Sequence, residues 1–401
     1  MRKILYFFIF GCLFFQSWTN AFSLGPLLPL HVIFSISSIV LFFSYTLISG
    51  KKIAITPLRS EDILVFWLII SVTLASVVNT RKASVNYVAA YTYVFIFAYM
   101  GLKLVLYNVI NSKKILDWVL YGAIVTAVGS ILEFAIEFGL DFSLNDYLFR
   151  FKQADALFGQ IFPRSMAFST EPGILAFFLE TLGLISIGVI VSREWSPFYK
   201  SLWIGVIIVG WILAFSAASV AALGVGGIVA LSVKWLRHRQ ALKRILPLLV
   251  IPMAVIGGIL VMNYARSTPL GDIVAKITLQ ADASGSAGMR LQRWTAGLDK
   301  ILERPLLGEG PGTAASEGRV SNISWYIFLA VEAGLLSLVP VLLFLISKTF
   351  RILNSRIKNK YWFLSAYIAG SIHLAVISTF FNPFLWTLII VFDILDVRVH
   401  S

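Results

Sequence analysis

The sequence predicts an all-α, polytopic membrane protein with about twelve transmembrane helices. Apolar residues make up 58% of the 401 residues and charged residues only 13%, whereas soluble domains contain about 45–50% and about 25%. Apolar runs of about 20 residues recur along the chain, and each is long enough to cross a hydrocarbon core of about 30 Å. Basic residues cluster in alternate loops between these runs. We expect a single transmembrane domain over residues 1–401.

The apolar runs define the predicted spans, which lie near residues 4–22, 27–49, 62–78, 84–106, 115–138, 172–191, 199–215, 217–233, 245–263, 322–346, 361–380 and 382–397. The first run also has features of a cleaved signal peptide, with a basic start, an apolar middle and Thr-Asn-Ala at 19–21. We favour a retained span because Trp18 and Phe22 extend the apolar stretch.

Lysines and arginines orient the spans. They follow the even-numbered spans and precede the first, at Arg2, Lys3, Lys51, Lys52, Arg59, Lys113, Lys114, Arg193, Lys200, Lys234, Arg237, Lys348, Arg351 and Arg356. The positive-inside rule places this side, with both termini, in the cytoplasm. Arg81 and Lys82 are the one exception in a short loop. The net charge of +13 therefore reflects membrane topology, and we expect no nucleic-acid partner.

The cysteine and the histidines of the sequence indicate neither a disulfide nor a metal site. Cys12 is the only cysteine, so no intramolecular disulfide can form. The four histidines are scattered over different spans, and no pair has the spacing of metal ligands. Any chemistry is expected in two outward-facing segments, at about 139–171 and 264–321.

The first outward segment begins with DFSLNDYLFRFKQADALF at 141–158, which we interpret as a short interfacial helix. It continues to Arg164, just outside the membrane, and to Glu171-Pro172, which begins the sixth span. Proline suits the first turn of a helix, and the helix dipole favours a carboxylate there. Glu171 is therefore either a helix-start residue or a functional acid.

The second outward segment contains MRLQRWTAGLDKILERPLLGEGPG at 289–312. Its first half predicts a helix with the apolar residues Leu291, Trp294, Leu298 and Ile301 on one side and the cations Arg290, Arg293, Lys300 and Arg304 on another. Pro305 ends this helix, and the glycines of GEGPG make the following loop pliable. Such a basic stripe suits either a phospholipid anchor or a site for a lipid-linked phosphate.

Over residues of about 160–345 the chain resembles the O-antigen polymerase and O-antigen ligase superfamily of bacterial envelope glycan assembly. The resemblance rests on four stretches, which are Arg164 to Pro172, the small-residue helix AFSAASVAALGVGGIVAL at 214–231, the run at 289–312, and SNISWYIFLAVEAGLL at 321–336. In the last stretch Asn322, Glu332 and Gly334 occupy the matching positions. Ligases carry a histidine where this chain has Ser321, so we favour a polymerase and keep a ligase as the alternative.

The resemblance implies a GT-C-like membrane glycosyltransferase in the bacterial cytoplasmic (inner) membrane. Its donor would be a polyprenyl-diphosphate-linked oligosaccharide, such as an undecaprenyl diphosphate derivative, and its product O-antigen in lipopolysaccharide, capsule or another exopolysaccharide. Arg164, Arg290, Arg293 and Arg319 would bind the diphosphate, and Glu171 would orient or deprotonate the acceptor hydroxyl. No metal or other cofactor is required. Other expected partners are membrane lipid and a chain-length regulator and flippase of the same pathway.

Other interpretations of the same features remain open. A transporter or lipid-linked-glycan flippase would show inverted repeats and ionisable groups near the membrane midplane, and we find no clear repeat. A structural membrane scaffold would leave the positioned arginines without a role. Glu133, Glu137 and Glu180 are ionisable groups within spans and thus secondary candidates. We expect His373 to hydrogen-bond to a neighbouring helix, and Lys103 to extend towards the cytoplasmic face.

Overall fold

The structure, a computed structural model, describes residues 1–19, 29–81, 83–140, 154–157, 160–236, 286–316, 324–378 and 380–400. Within these ranges, seven helices are long and apolar enough to cross a membrane. The chain is therefore an all-α, multi-pass membrane protein, as the sequence predicts. The predicted ninth span, 245–263, and Arg319 lie outside the described residues.

The seven long helices are α2 (Leu30–Ser49), α3 (Ser60–Val78), α4 (Ser84–Val109), α5 (Ser112–Leu140), α6 (Pro172–Ser192), α8 (Ala217–Leu236) and α12 (Leu335–Asn354). The shorter helices are α1 (Arg2–Phe14), α7 (Pro197–Ile212), α9 (Ser286–Glu303), α10 (Thr313–Ser316), α11 (Trp325–Ala333), α13 (Lys360–His373) and α14 (Phe384–His400). Strands β1 (Ala154–Leu157) and β2 (Gln160–Pro163) form an antiparallel pair in which Ala154 lies opposite Pro163.

Two sequence predictions are wrong in detail. The tenth predicted span, 322–346, is broken into α11 and α12 at Gly334, whose φ of 74° lies in the left-handed region. Residues 154–157, predicted as the end of an interfacial helix, form β1 instead. Their backbone groups pair with β2, which follows after only Phe158 and Gly159. A two-residue connection containing glycine is typical of a β-hairpin.

Helix α6 is the centre of the bundle. Of its most apolar stretch 89% is buried, against 22–50% for the other six long helices. It contacts α5, α7, α8, α13 and α14. The helix widens into a π-turn at Leu179–Gly183. Such turns are frequent at functional sites. The small residues of α8 allow close packing on α13, since a Cβ at Gly226 would meet the Ser365 carbonyl oxygen at 2.5 Å.

A buried ionic network joins helices from both halves of the chain at the end of the bundle where the basic loops lie. Lys103 Nζ lies 2.8 Å from Asp62 Oδ2 and 2.5 Å from Asp393 Oδ2. Lys348 Nζ lies 2.6 Å from Asp393 Oδ2 and 3.2 Å from Glu61 Oε1. Both lysine side chains are fully buried. Lys103 therefore binds carboxylates inside the protein, at the end of the bundle towards which the sequence predicts that it extends. Arg59, Arg351 and Asp396 complete the network.

Replacing Lys348 with methionine tests this network. The substitution removes one cation from the network, so that the buried carboxylates outnumber the remaining cations, and we expect it to destabilise the protein by about 3–5 kcal/mol. Adding Asp393→Asn restores the charge balance and should recover part of the loss. Thermal unfolding of the detergent-purified protein measures both effects. Lys358→Met, at an exposed position, is the matched control, and an equal effect of the two lysine substitutions would contradict the account.

Candidate active site

The segment from Arg164 to Glu171 is a largely buried loop that leads from β2 into α6. Its backbone and hydroxyl groups bind two other parts of the chain. The Ser165 amide donates to the Leu213 carbonyl at 3.0 Å, and the Ser169 hydroxyl donates to the Ser17 carbonyl at 3.0 Å. These contacts hold the loop between the chain that follows α1 and the turn before α8.

Glu133 on α5 fixes the shape of this loop. Its Oε2 accepts hydrogen bonds from the Ser165 hydroxyl at 2.8 Å, from the Met166 amide at 2.7 Å and from the Ala167 amide. Ala167 has a φ of 48°, a conformation that costs a non-glycine residue energy and persists only where the surroundings impose it. Glu133, a secondary candidate from the sequence, therefore has a positioning role.

Arg164 and Glu171 lie at the two ends of the loop and interact electrostatically. Arg164 Nε donates to the Ala214 carbonyl at 3.2 Å. Glu171 precedes Pro172 in extended conformation, and its side chain makes no helix-capping hydrogen bond. Burial raises the pKa of Glu171, while the Arg164 charge acts in the opposite direction. Glu171 thus occupies the N-cap position of α6, as the helix-start interpretation predicts, and the Arg164 charge acts on its carboxyl. A role of either residue in the site stays a prediction.

Below Glu171, a polar cluster on four helices occupies the π-turn of α6. Glu180 Oε1 lies 2.7 Å from His373 Nδ1 on α13. Its Oε2 accepts from the Ser219 hydroxyl on α8, which in turn accepts from Trp211 Nε1 of α7 at 2.7 Å. His373 thus contacts a neighbouring helix, while the predicted hydrogen bond stays a prediction. This cluster fixes α6, and therefore Glu171, relative to the family-like helices α7 and α8.

Helix α9 turns its cations towards the protein. Arg293, Gly297 and Lys300 follow each other at helical spacing, and Gly297 is buried while the two cations are half-buried. Leu298 and Leu302, on the other side, are 52% and 79% exposed. The helix packs against α11. Part of the predicted apolar face is therefore exposed, while Trp294 and Ile301 of that face are half-buried.

The GEGPG loop at 308–312 docks onto the end of α11. The Glu309 amide donates to the Val331 carbonyl at 2.8 Å, and the Gly310 amide to the Glu332 carbonyl at 2.9 Å. Glu332 Oε2 accepts from the Gly312 amide at 3.0 Å. Gly308, Gly310 and Gly312 all have positive φ. The loop predicted as a pliable turn is thus a tightly held connection, because its glycines allow backbone contacts that side chains would prevent.

The loop also contacts the connection between α3 and α4. The Ser84 hydroxyl donates to the Pro311 carbonyl at 2.7 Å, and Asn79 Nδ2 to the Gly308 carbonyl at 3.2 Å. Burial raises the pKa of Glu309 above its ordinary value. The charges of Arg304 and of Arg81, which lies in this connection, act in the opposite direction. Sequence reasoning missed Arg81 as a site residue, although its violation of the charge rule was the signal that could have found it.

The other predicted arginines lie on or after α9. Arg293 is half-buried on α9, and Arg290 lies in the same helix. Arg319 is outside the described residues. Arg164 contacts the turn before α8, whereas Arg293 belongs to the helix on α11. That all four arginines share one pocket stays a prediction.

Comparison with known proteins agrees with the motifs. Residues 201–332 match the family model described as O-antigen ligase. The match covers about a third of the chain, from α7 to Glu332 in α11, and confirms the resemblance to the O-antigen polymerase and ligase superfamily. It indicates a function of the O-antigen ligase or polymerase type. No curated protein matches the chain.

Gly310→Ala tests the docked loop. Gly310 has a φ of 102°, and an added Cβ would meet the Asn79 carbonyl oxygen at 2.2 Å. An L side chain in left-handed backbone costs about 1–2 kcal/mol even without a clash, so we expect the loop to leave α11. Hydrogen exchange at the Gly312 amide should accelerate by about tenfold or more. Gly205→Ala, in open space on α7, is the control, and unchanged protection in the loop variant would contradict the docking.

Proposed function

We propose that the protein is a membrane polysaccharide polymerase that transfers a polyprenyl-diphosphate-linked glycan to an acceptor sugar hydroxyl. The reaction takes place at the outer face of the cytoplasmic membrane, at the end of the bundle that carries Glu171 and the GEGPG loop. Basic residues at the opposite bundle end support this orientation. The family match supports the reaction class, since it spans α9, which carries Arg290 and Arg293.

The inward orientation of the α9 cations is the observation that carries the proposal. A helix that serves only as a phospholipid anchor buries its apolar face in the membrane interface and directs its basic residues to the headgroups. On α9, Arg293 and Lys300 are instead half-buried on the side of the buried Gly297, whereas Leu302 is exposed. Cations held in this way are suited to an anionic group that enters the protein, and not to the surrounding lipid surface.

The chemistry follows from the charge of the leaving group. The acceptor hydroxyl attacks the anomeric carbon of the donor, the glycosidic bond forms, and the bond to the diphosphate breaks. Negative charge then builds on phosphate oxygens, which arginines stabilise with paired hydrogen bonds. We assign this role to Arg164, Arg290 and Arg293, with Arg319 as a further candidate. Glu171 accepts the acceptor proton, because it lies at this bundle end near the Arg164 charge and its side chain makes no helix-capping hydrogen bond.

A ligase that transfers the glycan to a lipid A-core acceptor is the second candidate, and the description of the matched family favours it. Ser321 in place of the ligase histidine favours the polymerase. An assay with purified protein and lipid-linked repeat units separates the candidates. Elongated lipid-linked glycan supports the polymerase. Transfer only when lipid A-core is added supports the ligase, and transbilayer movement of unchanged substrate supports a flippase.

Arg293→Ala tests the diphosphate role in the same assay. Removing one cation from the leaving-group site should lower the transfer rate by about 10²-fold or more, with unchanged abundance in the membrane. Arg293→Lys should recover little, because an ammonium group lacks the forked geometry of a guanidinium. We expect the same pattern for Arg290. Gln292→Ala, one residue away at an exposed position, is the control, and full activity of both Arg293 variants would exclude that residue from the site.

The pH profile tests Glu171. A base must be ionised, so activity should rise with pH through the pKa of this carboxyl. Burial raises that pKa above the ordinary glutamate value, so the acid limb, which is the loss of transfer rate as the pH falls, should occur at a correspondingly higher pH. Arg164 favours the ionised form of Glu171. The acid limb of the residual activity of Arg164→Gln should therefore occur at a still higher pH. In Glu171→Gln the limb should vanish along with most activity, and an unaltered limb there would assign it to another group.

A further inference from the structure

Glu309 lies among cations that have no assigned role in the proposed reaction. Lys300 Nζ is 3.1 Å from Glu309 Oε1 and 3.4 Å from Oε2. Arg304 follows Lys300 by one helical turn on the same face of α9, and its Nη1 donates to Asn79 Oδ1 at 3.5 Å. Arg304 and Arg81 both act electrostatically on the Glu309 carboxyl. Three cations thus surround one carboxylate, and the cluster keeps an excess of positive charge.

The positions of these groups are fixed by different parts of the chain. Glu309 belongs to the docked GEGPG loop, whose backbone is bound to α11. Lys300 belongs to α9, Arg304 follows the last residue of that helix, and Arg81 belongs to the connection between α3 and α4. Glu332, the nearby acid on α11, directs Oε2 to the Gly312 amide instead. The loop therefore presents one carboxylate to cations gathered from two other segments.

The cluster is only partly covered. The side chains of Lys300 and Glu309 are 28% and 16% exposed, and Arg81 and Arg304 are exposed. A partly exposed ion pair contributes little to stability, so an anion with more charge can displace the carboxylate at small cost. Phosphate oxygens are stronger partners than one carboxylate, because a diphosphate offers several acceptors to several cations at once.

We propose that Arg81, Lys300 and Arg304 form a binding site for the diphosphate group of a lipid-linked substrate, and that Glu309 is an internal anion that occupies this site in the free protein. The substrate diphosphate displaces the Glu309 carboxylate on binding. The inference rests on the proposed function for the identity of the anion. The proposed site lies beyond Arg293 on the inward face of α9, since Arg293 is about 10 Å along the helix axis from Lys300. It also gives a role to Arg81, whose position does not follow the positive-inside rule.

Binding of farnesyl diphosphate to the purified full-length protein in nanodiscs tests the inference without any glycan. Glu309→Gln removes the competing anion, and the Kd measured by calorimetry at low ionic strength should fall by about two- to fivefold, the equivalent of an exposed ion pair. Arg81→Gln should raise the Kd by about five- to tenfold, because one charge-assisted contact is lost. A weaker or unchanged affinity of the Glu309 variant would overturn the proposal.

Glu303→Gln is the matched control, because it removes the same charge from an exposed position on α9. It should change the Kd less than Glu309→Gln, and an equal gain would show a general effect of net charge and overturn the site. Inorganic pyrophosphate should compete with farnesyl diphosphate, and farnesol should not bind. Failure of pyrophosphate to compete would show that the prenyl chain supplies the affinity, and would also overturn it.

The outcomes separate this inference from the proposed function. Tighter binding by Glu309→Gln without any glycan transfer by the wild-type protein would support the anion site and refute the polymerase. Glycan transfer by the wild-type protein, with farnesyl diphosphate affinity unchanged in both the Glu309 and the Arg81 variants, would support the polymerase and refute the site.

Discussion

The contact between the GEGPG loop and the end of α11 is the constraint on which the proposed site depends. Gly334 ends α11 so close to the preceding segment that a Cβ there would meet the Leu306 carbonyl oxygen at 2.0 Å. The Leu335 amide donates to the Pro305 carbonyl at 2.8 Å. Because Pro305 comes two residues after the end of α9, these contacts fix the end of that helix against α11. Arg293 and Lys300 are half-buried on the side of α9 that faces the protein.

The two ends of the bundle use charge in different ways. At the basic-loop end, lysines and carboxylates are buried together in a network that links α3, α4, α12 and α14. Such a matched network holds helices in place and leaves no charge for a ligand. At the other end, cations on α9 and beside Asn79 outnumber the carboxylate that they surround. An excess of fixed positive charge there suits a ligand that brings its own negative charge.

Sequence reasoning predicted the class of fold, because long apolar runs have few solutions in a membrane. It also predicted a site role for Arg164 and Glu171, which are close in sequence and precede a helix start, and that role stays a prediction. It did not predict the break at Gly334, since an apolar run continues through that glycine. The role of Glu133 and the partners of Lys103 depend on helix packing, which apolar periodicity does not specify. The inward face of α9 includes the buried Gly297. The sequence alone does not show that a neighbouring helix lies against this glycine.

Photo-crosslinking tests most directly whether the inward face of α9 binds the lipid diphosphate. A photoreactive amino acid at Ala296, between Arg293 and Lys300, should crosslink ³²P-labelled polyprenyl diphosphate in membranes. The same amino acid at Leu302, which is 79% exposed on the opposite side, should capture bulk phospholipid and little of the label. Equal labelling at both positions, or stronger labelling at position 302, would contradict the account.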